Sequence, residues 1–473
     1  MEAFGSAGEW WIPENPEERE VGLLDFSDSD GFRLTIPVGS LGSSGPITTI
    51  PSDATSTSIV HGRLRDGRFV TLVDCLTAGA TQRFPGAPSQ DLHSSQGFIG
   101  RGDVPNPDPS IDRVSVSYAH LRDWVVTHPA SARFPHPAIR PGDAHEYRYQ
   151  QPDADTPMGA RDRWSLKLRH TASLSSVSVE GFRARHDCVL LIELDEPMAF
   201  SQASATLLGP LSAFLSFCLD HAVNATALSV RVAGSGDTWI EVGRAQVESS
   251  TKDEQIMPDF MLLPLPALGE RAAEVLESWM GFSGDERRAV SLLAGLTRRQ
   301  SGPVDLRFLA ASQALEAISR VGADERELDD KEFERRLQVL RESIDDAKVK
   351  RWAGRKLKHA NWCDADDLLR HLVSHIGSYV DILAPDRQGF LEDIRSNRNF
   401  YTHRDDRRAG RVLEGGELYV LAEGVIQLLK AATLRRLGFS QGEVVSLMNG
   451  CQGTLQWRFR VAGQYSTGSD TSA

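Results

Sequence analysis

Pro258-Asp259-Phe260-Met261-Leu262-Leu263-Pro264-Leu265-Pro266 separates two textures in this chain. Proline fixes its own φ and has no amide hydrogen, so such a stretch ends any hydrogen-bond ladder that reaches it. Before it, apolar and polar residues tend to alternate. After it, apolar residues recur every three to four positions. The expectation is an α+β protein of two domains: a large β-rich domain over 1–265 and an all-helical bundle over 266–450. A tail follows over 451–473, and its Gly/Ser/Thr-rich end from Gly463 is expected to be disordered.

The β-rich half opens with Trp10-Trp11 before Pro13. Adjacent side chains of an extended segment point opposite ways. One indole is therefore expected in a core, and the other on a neighbouring loop or at a partner. Gly22–Phe26 and Phe32–Ile36 flank an Asp/Gly-rich turn, and Ser58–Leu64 and Arg68–Val73 flank Asp66-Gly67, so both pairs predict hairpins. Ala205–Ala222 breaks the trend with apolar spacing of a buried helix. In the second half the spacing predicts helices over 271–280, 286–298, 304–321, 330–344, 366–383, 389–401 and 418–437. Ser440 and Glu443 predict a capping box on one more.

The net charge of −13 over 473 residues gives no global basic field, so any nucleic-acid site must be a local patch. Five scattered cysteines without a CxxC pair point away from a disulfide framework or a zinc ribbon. No apolar run approaches the roughly 18 residues of a membrane span, and no signal-like segment opens the chain. The expectation is a cytoplasmic protein without membrane contact. Phosphate-binding, dinucleotide, zinc-protease and nucleophile-elbow motifs are all missing.

Arg398-Asn399-Phe400-Tyr401-Thr402-His403 carries the chemistry that remains. Arginine offers a permanent forked cation, and histidine a proton carrier near neutral pH. Spacing alone is weak, because Arg113/His120, Arg122/His128, Arg140/His145, Arg163/His170 and Arg370/His375 share it loosely. The helical pair Arg370/His375 diverges by about 140° on a core helix. Arg398/His403 has the same separation, but Asp405, Asp406 and Gly410 favour termination nearby. Fraying there is expected to let His403 swing back towards Arg398. The alternative is an exposed arginine and a histidine at the helix C-terminus.

This motif in an all-helical domain resembles the HEPN ribonuclease motif. Arg307–Glu316 is similar to a helix of the ApeA-like HEPN group, and Gly8–Glu14 with Gly22-Leu23-Leu24 resembles the opening of the ApeA N-terminal domain. The resemblance implies an anti-phage endoribonuclease acting by abortive infection, without metal or other cofactor, as a homodimer or higher oligomer. His403 would be the acid/base, Arg398 the phosphate ligand and Asn399 the residue that orients one of them. The nucleophile would be the 2′-hydroxyl of the RNA, with tRNA one suggested substrate.

Arg395, Arg404, Arg407 and Arg408 beside the motif, and Lys356 and Lys358 in a basic run around Trp352, are candidate RNA contacts. A solvated helix face balancing the acidic run before it is the alternative reading of those lysines. Glu316 is a candidate partner of Arg398 or His403, or a plain surface carboxylate. The N-terminal domain is read as a sensor, with a phage protein as its simplest trigger. A non-catalytic HEPN-type interaction module in a defence or toxin–antitoxin system is the second reading. A ligand-binding β-domain fused to a helical oligomeriser is the third.

Overall fold

The computed structural model describes residues 1–473 except 2, 42–56, 82–85, 103, 105, 127–129, 134–145, 151–154, 162, 175–183, 247–254, 299–301, 323–325, 327, 358–359, 404–411 and 467–473. The chain forms two compact units, one of Met1–Leu215, Val223–Pro258 and Pro264–Met280, the other of Ser216–Ala222, Asp259–Leu263 and Gly281–Ala473. The division is not a single cut at 265. Trp279 is one reason: it is fully buried, its indole donates to the Pro210 carbonyl at 2.9 Å, and it meets Phe214 edge-on. Pro264–Met280 is thereby tied into the first unit.

That first unit is β-rich, as expected. Among the described residues, thirteen strands join in one sheet whose pairings are antiparallel. At one end the strands Phe69–Thr81, Thr57–Leu64, Phe4–Trp11, Glu20–Ser27, Gly31–Ile36 and Ser89–Ser94 pair in that order. Ser89–Ser94 then pairs back to Phe69–Thr81, so these six close into a barrel. Closure leaves no free edge among them. Phe69–Thr81 serves three neighbours, which its length and the register shift at Thr77/Gly79 permit.

Trp10, Leu24, Phe32, Leu34, Val60 and Leu72 fill the interior. Trp10 donates to the Gly22 carbonyl. Trp11 points the other way and is covered by the Arg19 guanidinium at 4.7 Å. The two expected hairpins are present, with Gly31 and Gly67 at positive φ. The expected buried helix is also present, shifted to Phe200–Leu219 and interrupted by a π turn at Ser204–Leu208. It is the one described helix long and apolar enough to cross a membrane, and most of it is buried.

The second unit is helical. Gly415–Arg436 runs through its centre and is buried on nearly every side. Val304–Arg320 packs on that helix and also on Gly284–Arg298, Ala365–Ile376 and Arg387–His403. Two buried charges on the central helix are paired, Glu423 with Arg307 at 2.7 Å and Lys430 with Asp220 at 2.6 Å. Such pairing is what keeps a buried charge affordable. The expected helix over 366–383 is two helices, Ala365–Ile376 and Tyr379–Leu383, because Gly377 takes φ +82 between them. Ser440 and Glu443 form the expected capping box.

The expected tail is in part a helix, Gln452–Gln464. Its packing is carried by Thr454 and Val461, with Tyr465 beyond its end against Phe390 at 5.0 Å, while Phe459 is exposed. That pattern has no apolar stripe to recognise. The disorder expected from Gly463 is not found there: Gly463 and Gln464 close this helix and Tyr465 is buried; 467–473 lie outside the described residues.

The barrel depends on a close approach. A Cβ at Gly62 would lie 2.3 Å from the Trp10 ring, its partner on the adjoining strand. Gly62→Ala is expected to cost about 1–3 kcal/mol by overpacking, and Trp10→Ala about 3–5 kcal/mol by leaving a cavity. The double variant should lose less than the sum, since each change relieves the other. Urea unfolding followed by circular dichroism checks this, and strict additivity would show that the two residues do not share the site.

Candidate functional site

The helix Arg387–His403 is anchored through Phe390, Asp393, Ile394 and Asn397, an inward stripe at helical spacing. Two of these are polar and both are satisfied. Asp393 accepts from the Tyr465 hydroxyl at 2.9 Å. Asn397 is fully buried; its Nδ2 donates to the Asp393 carbonyl at 2.8 Å, and its Oδ1 accepts from the Leu413 amide at 2.7 Å. Tyr401 donates its hydroxyl to the Leu413 carbonyl at 2.8 Å. Both backbone groups of Leu413 are thus tied to the last turns of this helix.

The expected fraying is not observed. The helix continues through His403, the last described residue before 404–411. Arg398 and His403 consequently diverge by about 140° and are separated by about 7.5 Å of rise. His403 is exposed at the last helical position. Arg404, Arg407 and Arg408 lie outside the described residues.

Arg398 Nη2 donates to Glu316 Oε2 at 2.7 Å, and its Nη1 to Asn399 Oδ1 at 3.2 Å. Glu316 Oε1 accepts from Arg320 at 2.6 Å. Arg395 pairs with Asp366 at 2.7 Å. Arg398, Asn399, Glu316, Arg395 and Asp366 line one cavity of about 340 Å³ between Val304–Arg320, the N-terminal turn of Ala365–Ile376 and Arg387–His403. The structure therefore gathers Arg398, Asn399, Arg395 and Glu316, and does not bring His403 into the cavity lining.

Lys356 ends the helix Ala347–Lys356, which has five cations, no acidic residue and no buried residue, and Lys358 lies outside the described residues. Trp352 on that helix is 56% exposed. Among the described ion pairs, the acidic residues of Asp330–Glu342 pair with arginines of that helix or just before it: Asp330 with Arg326, Glu332 with Arg335 and Arg336, and Glu334 with Arg341. The rival Arg370 is spent on Asp367 at 2.9 Å, and burial lowers the pKa of His375 with help from Arg435 and Arg436.

Residues 5–279 match ApeA N-terminal domain 1, and residues 309–443 match Apea-like HEPN. The chain belongs to the ApeA-like HEPN family. No curated protein and no solved structure matches it. HEPN domains are typically ribonucleases, commonly act as dimers, and suggest a nuclease-type role in defence. The cavity residues and His403 all fall inside the HEPN match.

Other nucleophiles of this HEPN protein are poorly placed. Burial pushes the Cys75 and Cys188 thiols up to about 12 and raises those of Cys218 and Cys451, which keeps them protonated at neutral pH. Among the described residues, no three His, Cys, Asp or Glu side chains cluster as metal ligands would.

Sequence reading missed Asn397, Asp366 and Ser312. Asn397 had one signal, a place on the inward stripe next to the motif; the other two come from separate helices and had none. Asn397→Ala is expected to cost about 1–3 kcal/mol, because it orphans the Leu413 amide. Hydrogen exchange should show faster exchange at Leu413 than in wild type. Unchanged protection there would mean that the clamp does not hold the chain leaving the helix.

Proposed function

We propose that this chain is an endoribonuclease whose site is completed by a second copy. The supporting observation is the regular helix that turns Arg398 to the cavity and leaves His403 exposed at its end. Two side chains that diverge in this way act more readily on one phosphate if each comes from a different protomer.

In this reading Arg398 binds the scissile phosphate. Two hydrogen bonds, to Glu316 and Asn399, orient its guanidinium and leave three of its five N–H donors for phosphate oxygens. Glu316 and Asn399 are positioning residues. The 2′-hydroxyl attacks the adjacent phosphorus as His403 accepts its proton. The new P–O2′ bond forms, the P–O5′ bond breaks, and a proton passes to the departing 5′-oxygen. Arg398 stabilises the charge on the phosphoryl oxygens. The products are a 2′,3′-cyclic phosphate and a 5′-hydroxyl, and the step uses no metal. Arg395 and the basic helix Ala347–Lys356 contact backbone phosphates, in line with their exposure and charge. The substrate class includes tRNA, the protein acts in the cytoplasm, and the β-rich unit senses a phage protein as trigger.

The engagement of Arg398 by Glu316 also fits a second reading, a non-catalytic HEPN module whose ion pair is structural. Cleavage assays separate the two. Arg398→Ala and His403→Ala, each folded by circular dichroism, should lower RNA cleavage by about 10²–10⁴-fold and abolish phage protection. Cleavage should persist in EDTA. Mixing the two inactive variants should restore activity, because one composite site of each mixed dimer keeps both residues. Failure of mixing with both single variants inactive would place Arg398 and His403 of one chain together. Full cleavage by both variants would overturn the assignment of Arg398 and His403, whereas a wild-type dimer that cuts no RNA with any trigger would support the second reading.

A further inference from the structure

The cavity beside Arg398 has chemistry that a phosphate does not use. Leu315, Leu369 and Ile394 supply its apolar lining. Glu316, Asp364 and Asp366 outnumber Arg395 and Arg398, and both arginines already meet carboxylates. An anion inside would face an excess of negative charge.

Hydrogen-bond acceptors are nonetheless available. Asp364 uses Oδ1 to cap the Asp367 amide, and Asp366 uses Oδ2 for Arg395. Among the described residues, their other oxygens accept no hydrogen bond. Ser312 adds the independent signal. It lines the cavity, it is 94% buried (6% exposed), and its hydroxyl has no partner among the described residues, not even within its own helix. Buried polar groups are rarely left unpaired without a role.

We propose that this cavity, lined by Ser312, Asp366 and apolar side chains next to Arg398, is a base pocket that takes a guanine adjacent to the phosphate bound by Arg398. The assignment rests on the ribonuclease reading for the position of that phosphate. The volume of about 340 Å³ suits a single base with part of its sugar. Guanine is neutral and presents N1–H and its 2-amino group side by side, two donors for one carboxylate. Adenine and cytosine place a ring acceptor beside their amine, where a carboxylate repels it. Uracil has one N–H between two carbonyls. The Ser312 hydroxyl donates to the O6 edge or accepts from the amine, and Leu315, Leu369 and Ile394 cover the faces of the ring.

The test uses the full-length protein and fluorescently labelled 2′-O-methyl oligonucleotides, identical except for a central guanine, inosine, adenine or uracil. The methyl group blocks the nucleophile, so the readout does not depend on cleavage. Fluorescence anisotropy is expected to show guanine bound about 10- to 100-fold more tightly than inosine, which lacks the 2-amino group, or uracil. Asp366→Asn exchanges one acceptor for a donor and should move the preference towards adenine. Ser312→Ala, a gentler change, should reduce the guanine preference. His403→Ala should keep it.

Equal affinity for the four oligonucleotides in wild type overturns the proposal, as does a guanine preference unaltered in both Asp366→Asn and Ser312→Ala. Guanosine monophosphate that binds without any preference among the oligonucleotides overturns the RNA assignment in favour of a free nucleotide. A guanine preference in a protein that cleaves no RNA keeps the pocket and removes the ribonuclease reading.

Discussion

Asn397 lies in the helical unit with its amide shared between two backbone groups, the Asp393 carbonyl and the Leu413 amide. A buried donor or acceptor left unpaired is costly, so this residue holds both the helix and the chain that returns to it. Tyr401 repeats the tie one turn later. The consequence reaches the chemistry: a helix kept regular to His403 cannot fold its histidine back onto Arg398. The divergence of the two motif side chains follows from the helical period, and the reliance of the proposed site on a second copy follows from that divergence.

Arg398 occupies a middle position between buried and free. Its side chain is 32% exposed and the carboxylate of Glu316 is 2.7 Å away. Glu316 is itself held by Arg320, so the carboxylate is fixed from both sides. A guanidinium oriented by one carboxylate and one amide keeps donors in reserve, which a lysine at this position would not arrange in a fork. In the proposed reading the same triad separates two environments, the unused N–H groups of Arg398 for a phosphate and the carboxylate-rich cavity for a donor-rich neutral group.

The β-rich unit has a different logic. Its barrel closes around Trp10, and Gly62 is the residue that lets the indole lie against the neighbouring strand. Full burial of Trp10 removes it from any contact with a partner, whereas Trp11 stays at the surface beneath Arg19. Alternation of side chains along one strand accounts for the split.

Periodicity in the sequence determined the two textures, the hairpins at Gly31 and Gly67, most of the helices, and the capping box at Ser440, because each depends on neighbours within a few residues. The family resemblance was likewise legible in short stretches. Where one helix became two at Gly377, the decision lay in a left-handed backbone position that composition does not announce. The helix at Gln452–Gln464 escaped notice because its buried residues form no stripe. The cavity was invisible for a stronger reason: Ser312, Asp366 and Arg398 come from three helices, and only their packing makes them neighbours. Sequence determined that Arg398 and His403 stand five residues apart; only the tertiary structure decided that the helix stays regular through His403 and that the neighbouring helices build a cavity around Arg398 and not around His403.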